Sequence, residues 1–183
     1  MTSRAKECER SVAYTGKKFT VERSVLEHPN GRTSVVEVVR HPGAVVILPV
    51  TESGEILAIR QYRHALSTSI LELPAGTLEV GESPHACASR EIMEEVGYRA
   101  GTMLDLGILY PAPGFCDEKQ YLFLATDLSP ASAPADDDEV IEVVPMSIEG
   151  IREAIKSGEL SDAKSIAAFS RAELRGLLPL RRS

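Results

Sequence analysis

Gly76-Thr77-Leu78-Glu79-Val80-Gly81-Glu82-Ser83-Pro84-His85-Ala86-Cys87-Ala88-Ser89-Arg90-Glu91-Ile92-Met93-Glu94-Glu95-Val96-Gly97-Tyr98 is the stretch around which the chain is organised. It opens as a tight glycine turn. Ser83 as N-cap and Pro84 at the first helical position then start a helix, and Gly97 is placed to end it. Ala88, Ile92 and Val96 recur every four residues and form the stripe that buries, with the glutamates facing elsewhere. Glu91, Glu94 and Glu95 lie three and four residues apart, so one helix face carries all three carboxylates. Like charges at this spacing each cost a few tenths of a kcal/mol and sit badly against the negative C-terminal end of the dipole. Such a concentration points to a cation to hold, and a hard divalent ion such as Mg²⁺ fits because it takes oxygen ligands and keeps room for water and phosphate.

A solvated acidic face is the plainer reading of an isolated Glu-x-x-Glu-Glu. The wider spacing decides against it. Gly76, Glu82, Arg90, Glu91, Ile92, Glu94, Glu95, Gly97 and Tyr98 fit the pattern G-x5-E-x7-R-E-U-x-E-E-x-G-U, where U is bulky and apolar. The fixed positions alone would coincide with a probability on the order of 10⁻⁹ to 10⁻⁸ at average residue usage. The stretch resembles the Nudix box, departing only at Tyr98, where an aliphatic is more usual. The resemblance implies a loop-helix-loop whose metals activate hydrolysis of a nucleoside diphosphate linked to another moiety. It also implies that Arg90 pairs with the carboxylates and orients them, with Glu82 as its partner or as an outer metal ligand.

The chain has 183 residues, 43% of them hydrophobic, enough for one good core and at most a small extra subdomain. A net charge of −7 and a pI near 5.2 offer no broad attraction for nucleic acid or anionic membranes. A phosphate-bearing ligand would need local help from metal and arginine. Cys8, Cys87 and Cys116 are odd in number, far apart and without C-x-x-C spacing, which fits neither a disulfide framework nor a zinc site. No apolar run approaches the roughly 18 residues that span a bilayer, and the polar start lacks the apolar segment of a signal peptide. These features predict a cytoplasmic protein.

Before the box, residues 18–28 and 33–39 flank Pro29-Asn30-Gly31-Arg32 and read as a β-hairpin, one that could pack on its own domain or lie across a partner subunit. Ala44 to Val50 is a continuous apolar run, as in a strand buried on both faces, and Glu55 to Arg60 returns as the next strand. Arg60 and Arg63 are the cations on this approach, and either could meet phosphate oxygens or pair with a surface acid. His64 and His85 read as solvated. After the box, 103–110 and 120–126 read as strands around a loop stiffened by Pro111, Pro113 and Gly114, a plausible ligand wall. Ser129 to Asp138 reads as a linker leading into Glu139 and a strand over 140–144. Two closing helices follow, over 147–156 and 162–175, the second capped by Ser161 or Asp162. Arg171 and Arg175 suit that helix's C-terminal dipole, and Arg181 and Arg182 a loose tail.

Arg-Gln-Tyr-Arg followed by Leu-Glu-Leu-Pro-Ala-Gly resembles the ADP-ribose pyrophosphatase branch of the Nudix family, as does Pro113 in a Pro-Gly followed shortly by an Asp-Glu pair. The branch implies substrate contacts at Arg63, in preference to Arg60, and at Pro113, Gly114, Phe115 and Glu118. It implies metal ligands at Glu91, Glu94, Glu95 and the Ala75 carbonyl, and a catalytic base at Glu139, with Asp136, Asp137, Asp138 or a box glutamate as alternatives. Gly76, Glu82 and Arg90 would support the site.

The expected fold is α/β: an α+β mixed sheet in a Nudix-like α/β/α sandwich, with the box helix on one face and the C-terminal helices on the other. Residues 1–40 would form an N-terminal β-hairpin segment able to dimerise, 41–178 the Nudix hydrolase domain, and 179–183 a tail. The implied reaction is Mg²⁺-dependent hydrolysis of ADP-ribose to AMP and ribose 5-phosphate, with Mn²⁺ as a substitute metal. A UDP- or GDP-hexose is the alternative substrate, and a non-catalytic nucleotide-binding module the rival from another class. The intact glutamates speak against the module. The expected partners are a small nucleoside diphosphate sugar and a second copy of the chain in a homodimer, with no nucleic acid and no membrane.

Overall fold

A computed structural model describes residues 4–131 and 140–178. Its backbone gathers into two compact units, one running to Gly43 and including Tyr110–Lys119, the other made of Ala44–Leu109 and the chain from Gln120 onward. In the first unit β1 (Lys6–Thr15), β2 (Thr20–Glu27) and β3 (Thr33–Arg40) form an antiparallel sheet in that order. The expected hairpin is β2–β3, turning where Gly31 adopts a φ of 74° and donates its N–H to the His28 carbonyl. β1 is an addition that the sequence does not announce. Its residues are polar or exposed throughout, and only pairing with β2 makes them a strand. The 110–119 loop is stitched to the end of β3: Val39 N–H donates to the Phe115 carbonyl at 2.8 Å, and Asp117 takes Arg40 Nη1 at 3.1 Å and the His41 N–H at 2.9 Å.

The second unit contains β4 (Ala44–Pro49), β5 (Glu55–Arg63), β6 (Thr68–Glu72), β7 (Ala75–Thr77) and α1 (Pro84–Val96). It continues with β8 (Tyr98–Leu109), β9 (Gln120–Pro130), β10 (Ile141–Ser147), α2 (Ile148–Ser157) and α3 (Ala163–Leu174). A four-stranded sheet runs β7-β4-β9-β8, mixed because β4 and β9 are parallel, and a three-stranded antiparallel sheet runs β10-β5-β6. Every residue of β4 is buried, as its unbroken apolar run requires. On one face, Val45 and Ile47 cluster with Cys87, Ala88, Ile92 and Val96 of α1. On the other, Val46 and Leu48 cluster with Ile151 and Ala154 of α2 and with Ala168, Phe169 and Ala172 of α3. The box helix and the closing helices therefore take opposite faces, and each buried aliphatic or aromatic side chain contributes about 1.5–3 kcal/mol.

Several boundaries differ from the expectation. β5 continues through Arg63, carried beyond Gln61 by pairing with β6. β9 runs to Pro130 against the start of β8, so Ser129 and Pro130 are strand rather than linker. Asp162, not Ser161, caps α3, accepting from Ser165 N–H at 3.0 Å. Arg171 and Arg175 do more than suit a dipole: they donate to the carbonyls of Asp105, Leu106 and Ile108, where β8 bulges at Gly107. No helix among the described residues is long and apolar enough to cross a membrane.

Candidate active site

α1 forms where its caps dictate. Ser83 Oγ accepts from Ala86 N–H at 3.2 Å, Pro84 opens the first turn, and Gly97 closes the last with a φ of 73°. β7 lies beside the helix and pairs antiparallel with β4, Gly76 opposite Val45. Gly76 is required by close approach: a Cβ there would stand 1.7 Å from Glu91 Oε1 and 1.8 Å from its carboxyl carbon. The Glu91 carboxylate is thus seated on the β7 backbone. One residue earlier, Ala75 N–H donates to Glu95 Oε2 at 2.9 Å. Glu91 and Glu95 are each only 8% exposed, which corrects the expectation that the glutamates face away from the buried side. The apolar stripe is there, but two of the acids border it.

Arg90 gathers the remaining charge. Its Nη1 donates to Glu91 Oε1 at 2.7 Å and to Glu94 Oε2 at 2.9 Å, while Nε and Nη2 form a fork on the two Glu82 oxygens, each at 3.1 Å. The bond from Arg90 is the main reason that the Glu82 carboxyl is pulled down to about 2, and the bond to Glu82 is the main reason that the Arg90 guanidinium is raised. Burial pushes the Cys87 thiol up, so it is a packing group and not a nucleophile. Among the described residues, Glu82, Glu91 and Glu94 share the Arg90 guanidinium, while Glu95 is held by the Ala75 N–H.

These donors fit a hard divalent cation. All are carboxylate or carbonyl oxygens, the glycine cradle keeps Glu91 close to the β7 backbone, and the Ala75 N–H holds Glu95 on the same strand. Among the described residues, no three acid, His or Cys side chains already stand around one metal position. Glu91 and Glu94 each have an oxygen on Arg90, and a carboxylate can accept at more than one site.

The register of β5 separates the two candidate arginines. Side chains alternate along a strand, and Leu57 and Ile59 belong to the α1 cluster while Ile56 and Ala58 belong to the opposite one. Arg63 therefore falls on the α1 side and Arg60 on the other. Arg60 Nη2 meets exposed Glu159 at 3.0 Å, an ordinary surface pair worth about 0–1 kcal/mol. Arg63 Nε meets Glu72 at 2.7 Å, and Glu72 is completely buried. Glu72 is the functional candidate that the sequence reading passed over. Its signal was a lone acid inside Ile70-Leu71-Glu72-Leu73, which demands a buried cation.

Pro113, Gly114, Phe115 and Glu118 belong to the first unit, where Phe115 is exposed and Glu118 Oε1 lies 3.8 Å from His41 Nδ1. His64 and His85 are exposed, as expected. Glu139, Asp136, Asp137 and Asp138 lie outside the described residues, as do Arg181 and Arg182.

Arg90 thus organises Glu82 with Glu91 and Glu94 of α1, beside Glu95, into an oxygen-rich site on one face of the sheet, and the class of protein is given by likeness to known families. Residues 39–169 match the model of the NUDIX domain, and this chain belongs to that family and is one of its hydrolases. It is 39% identical over 167 residues to the ADP-ribose pyrophosphatase of Bacillus subtilis (strain 168), covering 90% of each chain. It is 36% identical over 167 residues to the methanol dehydrogenase activator of Bacillus methanolicus, again covering 90% of each. The fold matches the crystal structure of an ADP compounds hydrolase with a TM-score of 0.86 at 25% identity, over 97% of this chain and 98% of that one.

Proposed function

We propose that this chain hydrolyses ADP-ribose to AMP and ribose 5-phosphate with Mg²⁺, for which Mn²⁺ can substitute. The observation that carries this reading is the seating of Glu91 and Glu95 against β7, with Glu94 and Glu82 gathered by Arg90. Likeness over nine-tenths of the chain to a Bacillus subtilis protein named for ADP-ribose supports the substrate. Glu91, Glu94, Glu95 and the Ala75 carbonyl would hold the metal. When bound, it neutralises the diphosphate and lowers the pKa of a coordinated water.

The chain's own residues do the rest. Arg63, on the α1 side of β5, offsets charge developing on the diphosphate. Pro113, Gly114, Phe115 and Glu118 are the further substrate-contact candidates that the resemblance to the ADP-ribose branch implies. Glu139 takes the proton of the attacking water as its oxygen bonds to phosphorus, and the bridging oxygen leaves with the second phosphoryl group. In the sequence Glu139 stands two residues before Ile141, where β10 begins, and apart from the box glutamates, so a base there would be independent of the metal ligands. Glu139→Gln should lower kcat by about 10² to 10⁴ with metal affinity unchanged. If Gln or Asn at each of positions 136–139 leaves kcat within a few-fold, the base is a box glutamate.

The protein works as a homodimer in this reading. β1 is an edge strand exposed along its whole length, and Val12, Tyr14 and Val35 are large apolar side chains left 47–60% exposed on the same sheet. A second copy would cover both. The substrate reading is tested by phosphatase-coupled phosphate release from a panel of ADP-ribose, UDP-glucose and GDP-mannose, with and without Mg²⁺. ADP-ribose should be turned over fastest and only with metal; equal or faster release from a UDP- or GDP-hexose would overturn it.

A further inference from the structure

Glu72 is completely buried, and a carboxylate in that position costs several kcal/mol unless it is paired. It is paired twice. Arg63 Nε donates to Oε1 at 2.7 Å, and the Lys164 ammonium bonds the other oxygen. Lys164 also reaches Asp162 Oδ2 at 3.0 Å, the carboxylate that caps α3, and Ser165 Oγ accepts from Leu73 N–H at 2.7 Å. The first turn of α3 thereby clamps the chain at Glu72-Leu73, immediately before the Ala75-Gly76 backbone on which Glu91 and Glu95 rest.

Neutralising a buried acid requires only one cation, and Lys164, side chain 13% exposed, supplies it. Arg63 is different. Its side chain is 36% exposed, it lies on the α1 side of β5, and its bond to Glu72 is made through Nε at the root of the guanidinium. A bond at that nitrogen fixes the plane and direction of the whole group. We infer that Glu72 is a positioning residue that aims the Arg63 guanidinium at the substrate diphosphate, with Lys164 locking Glu72 to α3. The inference rests on the reading of Arg63 as a substrate contact. It differs from a purely structural role for Glu72, as a strut between β6 and α3, in that its effect on activity must pass through Arg63.

A double-mutant cycle separates the two, using Glu72→Gln and Arg63→Ala in the full-length protein with ADP-ribose and Mg²⁺. Gln keeps the shape of Glu72 but presents an amide N–H₂ to Lys164 and a neutral acceptor to Arg63. Each single substitution should lower kcat/KM by about tenfold or more, and the double variant should fall within about twofold of Arg63→Ala alone, because the residues act as a unit. Thermal unfolding should show the loss of stability from Glu72→Gln in both backgrounds, since the Lys164 bond is lost in each. If Glu72→Gln does not fold, Glu72→Asp serves in the same cycle with the same expected non-additivity. Equal fold losses in the two backgrounds, or no loss with Arg63 present, would overturn the inference while leaving Arg63 a substrate contact. Parental kcat/KM in Arg63→Ala would overturn the reading of Arg63 itself, and this inference with it.

Discussion

A guanidinium that bonds three carboxylates has little freedom left, and Arg90 uses its position to hold Glu82, Glu91 and Glu94 in one arrangement. The cost of that order appears as a pH dependence. Glu82 titrates at about 2 in the folded protein against an ordinary 4.5. A depressed carboxyl contributes stability that is fully present above the ordinary value and is lost as pH falls toward the folded one, so the window runs from about 4.5 down to about 2. The contribution is on the order of 2–3 kcal/mol. Urea denaturation across that window should show Glu82→Gln losing less stability than the parent; parallel curves would mean that Glu82 is not held by Arg90. Gly76 makes a second prediction at this scale. Ala at 76 places a methyl inside the Glu91 carboxylate, which must rotate off the β7 backbone. Gly76→Ala should keep its circular dichroism spectrum yet lose about tenfold or more in kcat, the scale of a displaced electrostatic group. Full activity would show that Glu91 need not sit there.

At the scale of elements, α1 was legible because everything that starts and stops it is local. Ser83, Pro84 and Gly97 are adjacent to the helix they bound, and the structure uses each as expected. Ser83→Ala removes the bond to Ala86 N–H and should cost about 1 kcal/mol in thermal or chemical unfolding, with the helix still formed. β1 was not legible, because Lys6-Glu7-Cys8-Glu9-Arg10 has neither a buried face nor a turn to mark it; its strand character comes from β2. In the sequence the choice of Arg63 over Arg60 rested on family resemblance, not on position. Both follow the same apolar run, and only the observed register of β5, unbroken through Arg63, assigns them to opposite faces. Lys164 stands 92 residues beyond the Glu72 that it pairs with, a separation no local pattern carries.

At the scale of the molecule, the layer order followed from pattern: an all-apolar strand needs cover on both faces, and the box helix and the closing helices provide it. The proposed homodimer is motivated by the first unit, where β1 is an exposed edge and apolar side chains are exposed on the same sheet. Sedimentation at micromolar concentration should give a species of about twice the 19.8 kDa chain mass, and a single species at the chain mass would contradict the dimer. Catalysis by the glutamates of α1 is the central claim, and Glu95→Gln tests it most directly. The amide oxygen of Gln can still accept from Ala75 N–H, and Gln is as good a helix former as Glu, so the fold is kept while one anion is removed. The measurement is kcat for ADP-ribose at saturating Mg²⁺. We predict a loss of at least about a hundredfold, the scale of removing a strong electrostatic group; turnover within a few-fold of the parent would contradict the assignment of α1 as the hydrolytic centre.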